Sequence, residues 1–493
     1  MILASNIMSN RFFLFFIIVF NIFLSSWNYS YMPVTEGWFL LSGKLISEGK
    51  LPYIDFYAYL APFYYWYSYF LYIASDNLIF FSRFIGQITF SFLFLFTYKF
   101  YRINFNKNIS VLVTFFSLLV YLSSSAIITY DFTHLVNLFS LISIVYIINS
   151  KNNFDNFIAG VFAALVFLTK QSNGFVIYLI LAFIFILKNR LELKKIFYPF
   201  VGSLLITIIV ILPFLTFDKL SILLEQIIFH AGNSKGGIIS SLTNLFPPKS
   251  TYYSIKNIFN FLFDSFLPML ILILAYYRLK DKNITIVNTK FLIFLSYFSL
   301  LFFAIIVVFR YSESNLIIEK INSFFWNKAY LWSGYYVFFL IPLKRYTKFD
   351  NYSLIFLFGL IIASATSAGL TAVSIFLHVG FALALLFHFR SIFNISFVLG
   401  AILLISIPTH SIIKKYNTGY YWWGVSSKIG NLESSNPIIS KVRNDGTSQH
   451  LDKILKIINS CSEKPNNLLS FPHTTLVNLA TGLNPPGNAI TYW

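Results

Sequence analysis

The sequence predicts an all-α polytopic membrane protein. Of its 493 residues, 57% are hydrophobic and only 11% are charged, against about a quarter charged in an ordinary soluble domain. Apolar runs approaching the roughly 20 residues that cross a bilayer recur along nearly the whole chain. The net charge is +18, and its basic residues cluster between the apolar runs, which is a signature of membrane orientation rather than of nucleic-acid binding. The one cysteine, Cys461, excludes an intrachain disulfide and a cysteine-cluster metal site. Aromatic residues make up 20% of the chain, and those at span ends read as interfacial anchors rather than as sugar or base platforms.

Taken in order, hydropathy places spans near 12–27, 79–98, 108–125, 133–149, 157–170, 175–187, 196–216, 258–277, 291–309, 330–343, 352–369, 372–388 and 393–409. The first follows a short polar segment ending in Arg11 and has no small-residue cleavage site after Trp27, so it reads as an uncleaved anchor. The stretch 60–75, LAPFYYWYSYFLYIAS, is apolar enough to span, but it is short, Tyr-rich and headed by Pro62. Those features suit a helix lying along the membrane surface. The basic clusters decide between the two. With 60–75 lying flat, Arg11, the 99–107 group, Lys151, the 188–195 group, the 278–290 group, Lys344–Lys348 and Arg390 all fall on one side. The chain then has about thirteen spans, a cytoplasmic N-terminus and an extracytoplasmic C-terminus.

This threading gives a transmembrane domain over 1–409, with the first outer loop at 28–78, and an outward tail or small domain over 410–493. A further outer loop covers 217–257. Within the first loop, Glu36–Ser47 has helical character, with Trp38, Leu41, Leu45 and Ile46 on one face and Glu36, Ser42 and Lys44 elsewhere. Thr35 is placed to cap it and Gly49 to end it, and Pro52 keeps the next stretch extended. The expectation is an amphipathic helix, an extended crossing and a second interfacial helix from Pro62. In the tail, Ser470–Gly487 carries strand and turn signals. It reads as a cap on an acceptor groove or as a plain structural appendage.

The first loop holds Glu36-Gly37, then Gly49-Lys50-Leu51-Pro52-Tyr53-Ile54-Asp55-Phe56, then Pro62, and Ser82-Arg83 opens the next span. Leu168-Thr169-Lys170-Gln171 ends a later one. In the order and spacing of these elements the chain resembles the GT-C superfamily of membrane glycosyltransferases, which includes protein O-mannosyltransferases and the aminoarabinose transferases of lipid A. The likeness is good over 30–100, fair near 160–175 and architectural elsewhere. Thr35 stands where the family often has Asp, so Glu36 or Asp55 would have to serve as the acidic group.

The resemblance implies a transferase of the cell inner (plasma) membrane. It would move a sugar from a polyprenyl-phosphate donor to a glycolipid, polysaccharide or protein acceptor on the outer face. That chemistry needs a carboxylate to take the acceptor's proton and cations to stabilise the departing phosphate. Glu36 is the first candidate base; the alternative is a charge that favours the positive end of its helix dipole. Asp55 is a second base, a metal ligand, a substrate hydrogen-bonder or simply the residue that closes a turn after Tyr53. For the donor phosphate the candidates are Arg83, Lys170 and Arg310. The competing accounts are an ion pair of Arg83 with Asp76 or Glu36, snorkelling of Lys170, and a span-end anchor at Arg310. Tyr53, Tyr130, Asp131 and Gln171 would line the cavity, with helix capping as the other account of Asp131. No histidine spacing suggests a zinc site of fixed type, and a divalent ion on Glu36 or Asp55 stays open. Membrane lipids are the expected surroundings and nucleic acid is not an expected partner.

Two other classes compete. An O-antigen polymerase or ligase would place key Arg residues in a large later loop, and 217–257 has none. A transporter or lipid flippase would show mid-membrane charges and internal symmetry, and neither is evident.

Overall fold

The structure is a computed structural model that describes residues 35–58, 60–124, 131–189, 193–216, 219–230 and 351–365, positions 376–378, 380, 381 and 384, and tail residues 420–422, 425–427, 436–438, 447–461, 465, 467–469 and 475–488. The expected spans at 12–27, 258–277, 291–309, 330–343 and 393–409 lie outside these residues.

The described elements are overwhelmingly helical. In chain order they are α1 (Thr35–Ser47), α2 (Pro62–Ile73), α3 (Leu78–Asn104), α4 (Lys107–Ser124), α5 (Phe132–Ile148), α6 (Asn153–Thr169), α7 (Gln171–Asn189), α8 (Leu193–Thr216), the short α9 (Leu220–Leu224) with a π-helical turn at Glu225–His230, and α10 (Asn351–Ala365). In the tail, α11 (Thr447–Ser460) and α12 (Thr475–Thr481) follow a small hairpin of β1 (Tyr420–Trp422) and β2 (Val425–Ser427). Helices α3 and α8 are long and apolar enough to cross a membrane. Large apolar side chains such as Phe200, Ile209 and Leu212 on α8 and Phe175 and Phe183 on α7 are exposed. Apolar faces of that extent have no place in water and give these helices membrane-protein character.

The chain divides into two compact units. One comprises Met1–Phe96, Ser125–Gly237 and Ile413–Trp493. Its helices α5, α6 and α8 meet through small residues. Ala159, Ala163 and Ala164 are fully buried on α6, and a Cβ on Gly160 would meet the Pro199 carbonyl oxygen at 2.0 Å. Ser143 and Ser203 donate across helices to the Ala159 and Gly160 carbonyls, each at 2.8 Å. Close backbone approach with inter-helical hydroxyl bonds is how helices associate where lipid removes the hydrophobic drive. The other unit comprises Thr97–Ser124 and Ile238–Ile412. There Phe100, Tyr101, Tyr121, Phe356, Phe376 and Phe381 are buried. The Tyr101 hydroxyl lies 2.7 Å from Ser117 Oγ and donates to the Leu377 carbonyl at 3.0 Å.

The first loop folds as helix, turn, helix. Helix α1 ends in a left-handed Gly49 (φ 83°). The Gly49 amide bonds the Ile46 carbonyl and the Lys50 amide the Leu45 carbonyl, a Schellman stop as expected from the glycine. Helix α2 begins with Pro62 behind an extended Ala61, a favoured start because proline lacks the amide that a first turn leaves unpaired.

Three expectations are corrected. Helix α1 does not present a polar face to water: Glu36, Ser42 and Lys44 are buried together with its apolar residues, because α2 covers one side and α12 another. Thr35 is already inside the helix rather than its cap. In the tail, Thr475–Thr481 is helix, not strand; its Leu476 and Leu479 are buried, and that burial against α1 overrides the local β preference.

Candidate functional site

The site is built around α2, whose adjacent Tyr64 and Tyr65 pack on different partners. Tyr64 faces Phe39 of α1 and Phe132 at the start of α5, edge-on at 5.4 and 5.7 Å. Tyr65 faces Tyr53 and Phe56 of the loop turn, at 5.8 and 6.1 Å. A helix that buries neighbouring residues on two different partners separates two polar neighbourhoods at one end of the bundle.

On α1, three residues before Phe39, stands a buried ion pair. Arg83 Nε donates to Glu36 Oε1 at 2.7 Å and Arg83 Nη2 to Glu36 Oε2 at 2.9 Å. The side chains are 3% and 1% exposed. A two-pronged guanidinium–carboxylate fork is the strongest form of such a contact, and it ties the first turn of α1 to the second turn of α3. Of the partners expected for Arg83, the structure selects Glu36 over Asp76. Around Phe132 the rings of Phe39 and Tyr64 pack, and Lys170 Nζ lies 5.3 Å from the Phe132 centroid. Lys170 is also the residue where α6 ends. Asp131 Oδ1 accepts from the Thr133 amide at 2.7 Å and so caps α5. His134, buried, has its ring 4.3 Å from Phe90.

On the Tyr65 side is the turn that carries Asp55. The Asp55 Oδ2 accepts from the Leu51 amide at 2.7 Å, and the Asp55 amide donates to the Leu51 carbonyl at 2.9 Å. The Asp55 side chain is exposed. Tyr53, two residues before, has φ 70°. A bulky residue in the left-handed region is strained and persists only when its surroundings over-determine it. They do here. Its amide bonds the Phe56 carbonyl, its hydroxyl donates to the Leu60 carbonyl, and its carbonyl accepts from Gln226 Nε2 at 2.8 Å. Its ring also packs on Phe214 of α8. Burial, with Tyr65 second, pushes the Tyr53 phenol well above its ordinary range, so it stays a donor.

The Gln226 contact was not legible in the sequence. Its one signal is a polar pair, Glu225-Gln226, inside the apolar run Leu220–Phe229. The π turn at Glu225–His230 widens the helix there. The same turn receives Gln171, whose Nε2 reaches the Ile227 carbonyl at 3.5 Å. Lys170 and Gln171 are adjacent, one beside Phe132 and the other beside the π turn, so they join the two neighbourhoods.

The tail completes the rim. Helix α12 lies on α1 at Gly37, where a Cβ would sit 2.0 Å from the Leu476 amide nitrogen. Asn484 donates to Glu48 Oε2 at 2.7 Å and accepts from Lys44. Lys44 also bonds Glu48. Burial pushes the Glu48 carboxyl up, but the hydrogen bonds from Lys44 and Asn484 and the charges of Lys44 and Lys50 outweigh it and hold the group below its ordinary value.

Phe39, Tyr53 and Phe132 thus pack on α2 and tie it to the segments that carry Glu36, Asp55 and Asp131, with Lys170 over Phe132. Tyr130 and Arg310 lie outside the described residues. Among the described residues there is no cluster of three or more His, Cys, Asp or Glu able to hold a metal ion.

No family model and no curated protein matches the chain. Among solved structures it is similar to the crystal structure of the Archaeoglobus fulgidus oligosaccharyltransferase, solved in complex with zinc and sulfate. The identity is 14% and the TM-score 0.45, with 97% of this chain and 62% of that one covered. The chain therefore spans 62% of the length of the solved chain it matches.

Proposed function

We propose that this chain is an integral-membrane glycosyltransferase that moves a sugar from a polyprenyl-phosphate donor to a hydroxyl of a glycan, lipid or protein on the outer face of the membrane. The observation that carries the reading is the strained Tyr53 turn. Five contacts, one of them from a segment about 170 residues away in sequence, hold a costly backbone conformation whose product is a fixed, exposed Asp55. Strain so heavily braced belongs to a positioned functional group.

In this reading Asp55 accepts the acceptor's proton as the hydroxyl oxygen attacks the anomeric carbon. The bond from that carbon to the phosphate oxygen breaks, and the phosphate leaves with the electron pair. Lys170, and Arg310 from outside the described residues, offset the charge that develops on the phosphate. A single displacement inverts the anomeric centre. Glu36 has both oxygens engaged by Arg83 and no exposure, so in this state proton transfer falls to Asp55. The Glu36–Arg83 fork positions the rim on which Asp55 sits.

Asp55→Asn tests the assignment. An amide oxygen still accepts from the Leu51 amide, so the turn survives while the proton acceptor is lost. Transfer from tritiated polyprenyl-phosphate sugars to membrane-extract acceptors should fall by about 100-fold or more with unchanged thermal unfolding. Full activity in that variant removes Asp55 as base. Exchange of the lipid-linked sugar across vesicles without any covalent product removes the transferase reading itself.

A further inference from the structure

Helix α11 is strongly amphipathic, and its apolar side is at most half-buried among the described residues. In TSQHLDKILKIINS, helical spacing puts Ile454, Leu455, Ile457 and Ile458 in one arc, with Asp452, Lys456 and Asn459 outside it. An amphipathic helix in a packed domain hides that arc. Here none of residues 452–460 is buried, and Ile454 and Ile457 are 36% and 64% exposed.

Two tethers say what lies beside this face. Upstream, the Ile438 carbonyl accepts from the Ile79 amide at 3.3 Å, in the first turn of α3, a helix of membrane-crossing length. Downstream, the Leu468 amide donates to the Asn484 carbonyl at 2.9 Å, and the Asn484 side chain bonds Glu48 and Lys44 of the first loop. Segments that precede and follow α11 in the sequence are thus fastened to the start of α3 and to the first loop, at the end of α3 that the sequence places on the outer face. The rim is already apolar on its outside: Phe70 and Ile73 at the end of α2 are 49% and 56% exposed, and Phe70 packs on Phe81 of α3.

Charge completes the match. Lys453 sits one turn before Ile457 at the edge of the arc, Lys456 lies on the opposite, polar side, both are exposed, and Asp452 is the only acidic residue of the helix. Basic residues outnumber acidic ones across the tail as a whole. Lysines beside an aliphatic arc are what an anionic headgroup layer selects, because their stems stay in apolar contact while their ammonium groups reach phosphate. We propose that α11 is an interfacial helix lying in the headgroup layer of an anionic bilayer at the face where α3 begins. Ile454 and Ile457 enter the acyl boundary, Lys453 meets lipid phosphates at the edge of the arc, and Lys456 adds its charge from the polar side. The proposal stands apart from sugar transfer and holds whatever the chain catalyses.

The chain supplies its own probe. Cys461 is its only cysteine, exposed directly after α11. The full-length protein is labelled there with an environment-sensitive maleimide dye and reconstituted in phosphatidylcholine vesicles with or without phosphatidylglycerol. Lipids carry a nitroxide either near the headgroup or at the chain end. The shallow nitroxide should quench the dye at least about twofold more than the deep one in anionic vesicles. Ile454→Asp with Ile457→Asp should move the dye to water-like emission and remove that difference. Ile457→Asp alone, at a position 64% exposed, should move the emission in the same direction, which separates lost membrane contact from lost packing at Ile454. Lys453→Glu with Lys456→Glu should weaken quenching in anionic but not in neutral vesicles. A wild-type label that is water-like in lipid, or quenching unchanged by the double aspartate variant, overturns the proposal. So does shielding that follows protein concentration instead of lipid composition, which identifies a second copy, or shielding that needs an added soluble protein.

Discussion

Replacing Glu36 by Leu should destabilise the protein by about 3–5 kcal/mol, because it removes the carboxylate that takes both prongs of the Arg83 guanidinium in a site with almost no solvent. Arg83→Met should cost a similar amount by removing both guanidinium donors from the buried Glu36 carboxylate. Replacing both, as Glu36→Leu with Arg83→Met, removes two buried charges at once and fills the space with apolar atoms. Such swaps are neutral or stabilising in other buried pairs, so the double variant should return to within about 1 kcal/mol of wild type, and the coupling energy should exceed about 3 kcal/mol. Chemical unfolding of the purified protein in detergent reads this. Trp38, stacked on Phe39 at 5.5 Å two residues from Glu36, is a local fluorescence reporter. If the double variant is as unstable as the sum of its parts, the pair does not hold α1 to α3 and the positioning argument fails. The same stable double variant then sorts the chemistry. Retained transfer makes the fork architectural, and lost transfer means that one of the two groups touches substrate.

Three further outcomes follow from the rim. Gly37→Ala places a Cβ 2.0 Å from backbone of α12, so α12 should lift; hydrogen exchange over 475–481 should rise, with a cost of about 1–3 kcal/mol. The Glu48 carboxyl is held below its ordinary value of 4.5, so its stabilising contribution is present above that value and is lost as pH falls through the lower folded value. Tail docking should therefore loosen in acid, below about pH 4.5, and Asn484→Ala, which removes the tail's bond to Glu48, should loosen docking at neutral pH and flatten the acid step, read by proteolytic nicking of the tail. Tyr53→Phe leaves the buried Leu60 carbonyl without its hydroxyl donor. It should cost about 1–3 kcal/mol and lower transfer without changing its pH profile, whereas a catalytic phenol would change that profile.

Much of the helical framework was legible in the sequence. Membrane-length apolar runs must be helical because lipid satisfies no backbone group. The punctuation was legible for equally local reasons: Gly49 in its left-handed stop, Pro62 at a helix start, Lys170 at the end of α6, and Asp131, whose capping role was one of two readings. Glu36 and Asp55 stood out as carboxylates beside a membrane, but their surroundings did not. Hydropathy treats α1 as a surface helix, since it sees a polar face and cannot see that α2 and α12 cover it.

What the sequence by itself determined, among the described residues, is the run of long apolar helices from α3 to α8 and where several of them stop, since backbone hydrogen bonding and side-chain branching act over a few residues. Tertiary structure alone decided that Arg83 takes Glu36 across 47 positions, that Tyr53 is forced left-handed and braced by Gln226, and that α12 closes over Gly37. Those are contacts between segments remote in the chain. Their partners are chosen by packing and by the cost of leaving a buried charge or carbonyl unmatched, and no local pattern of residues encodes that choice.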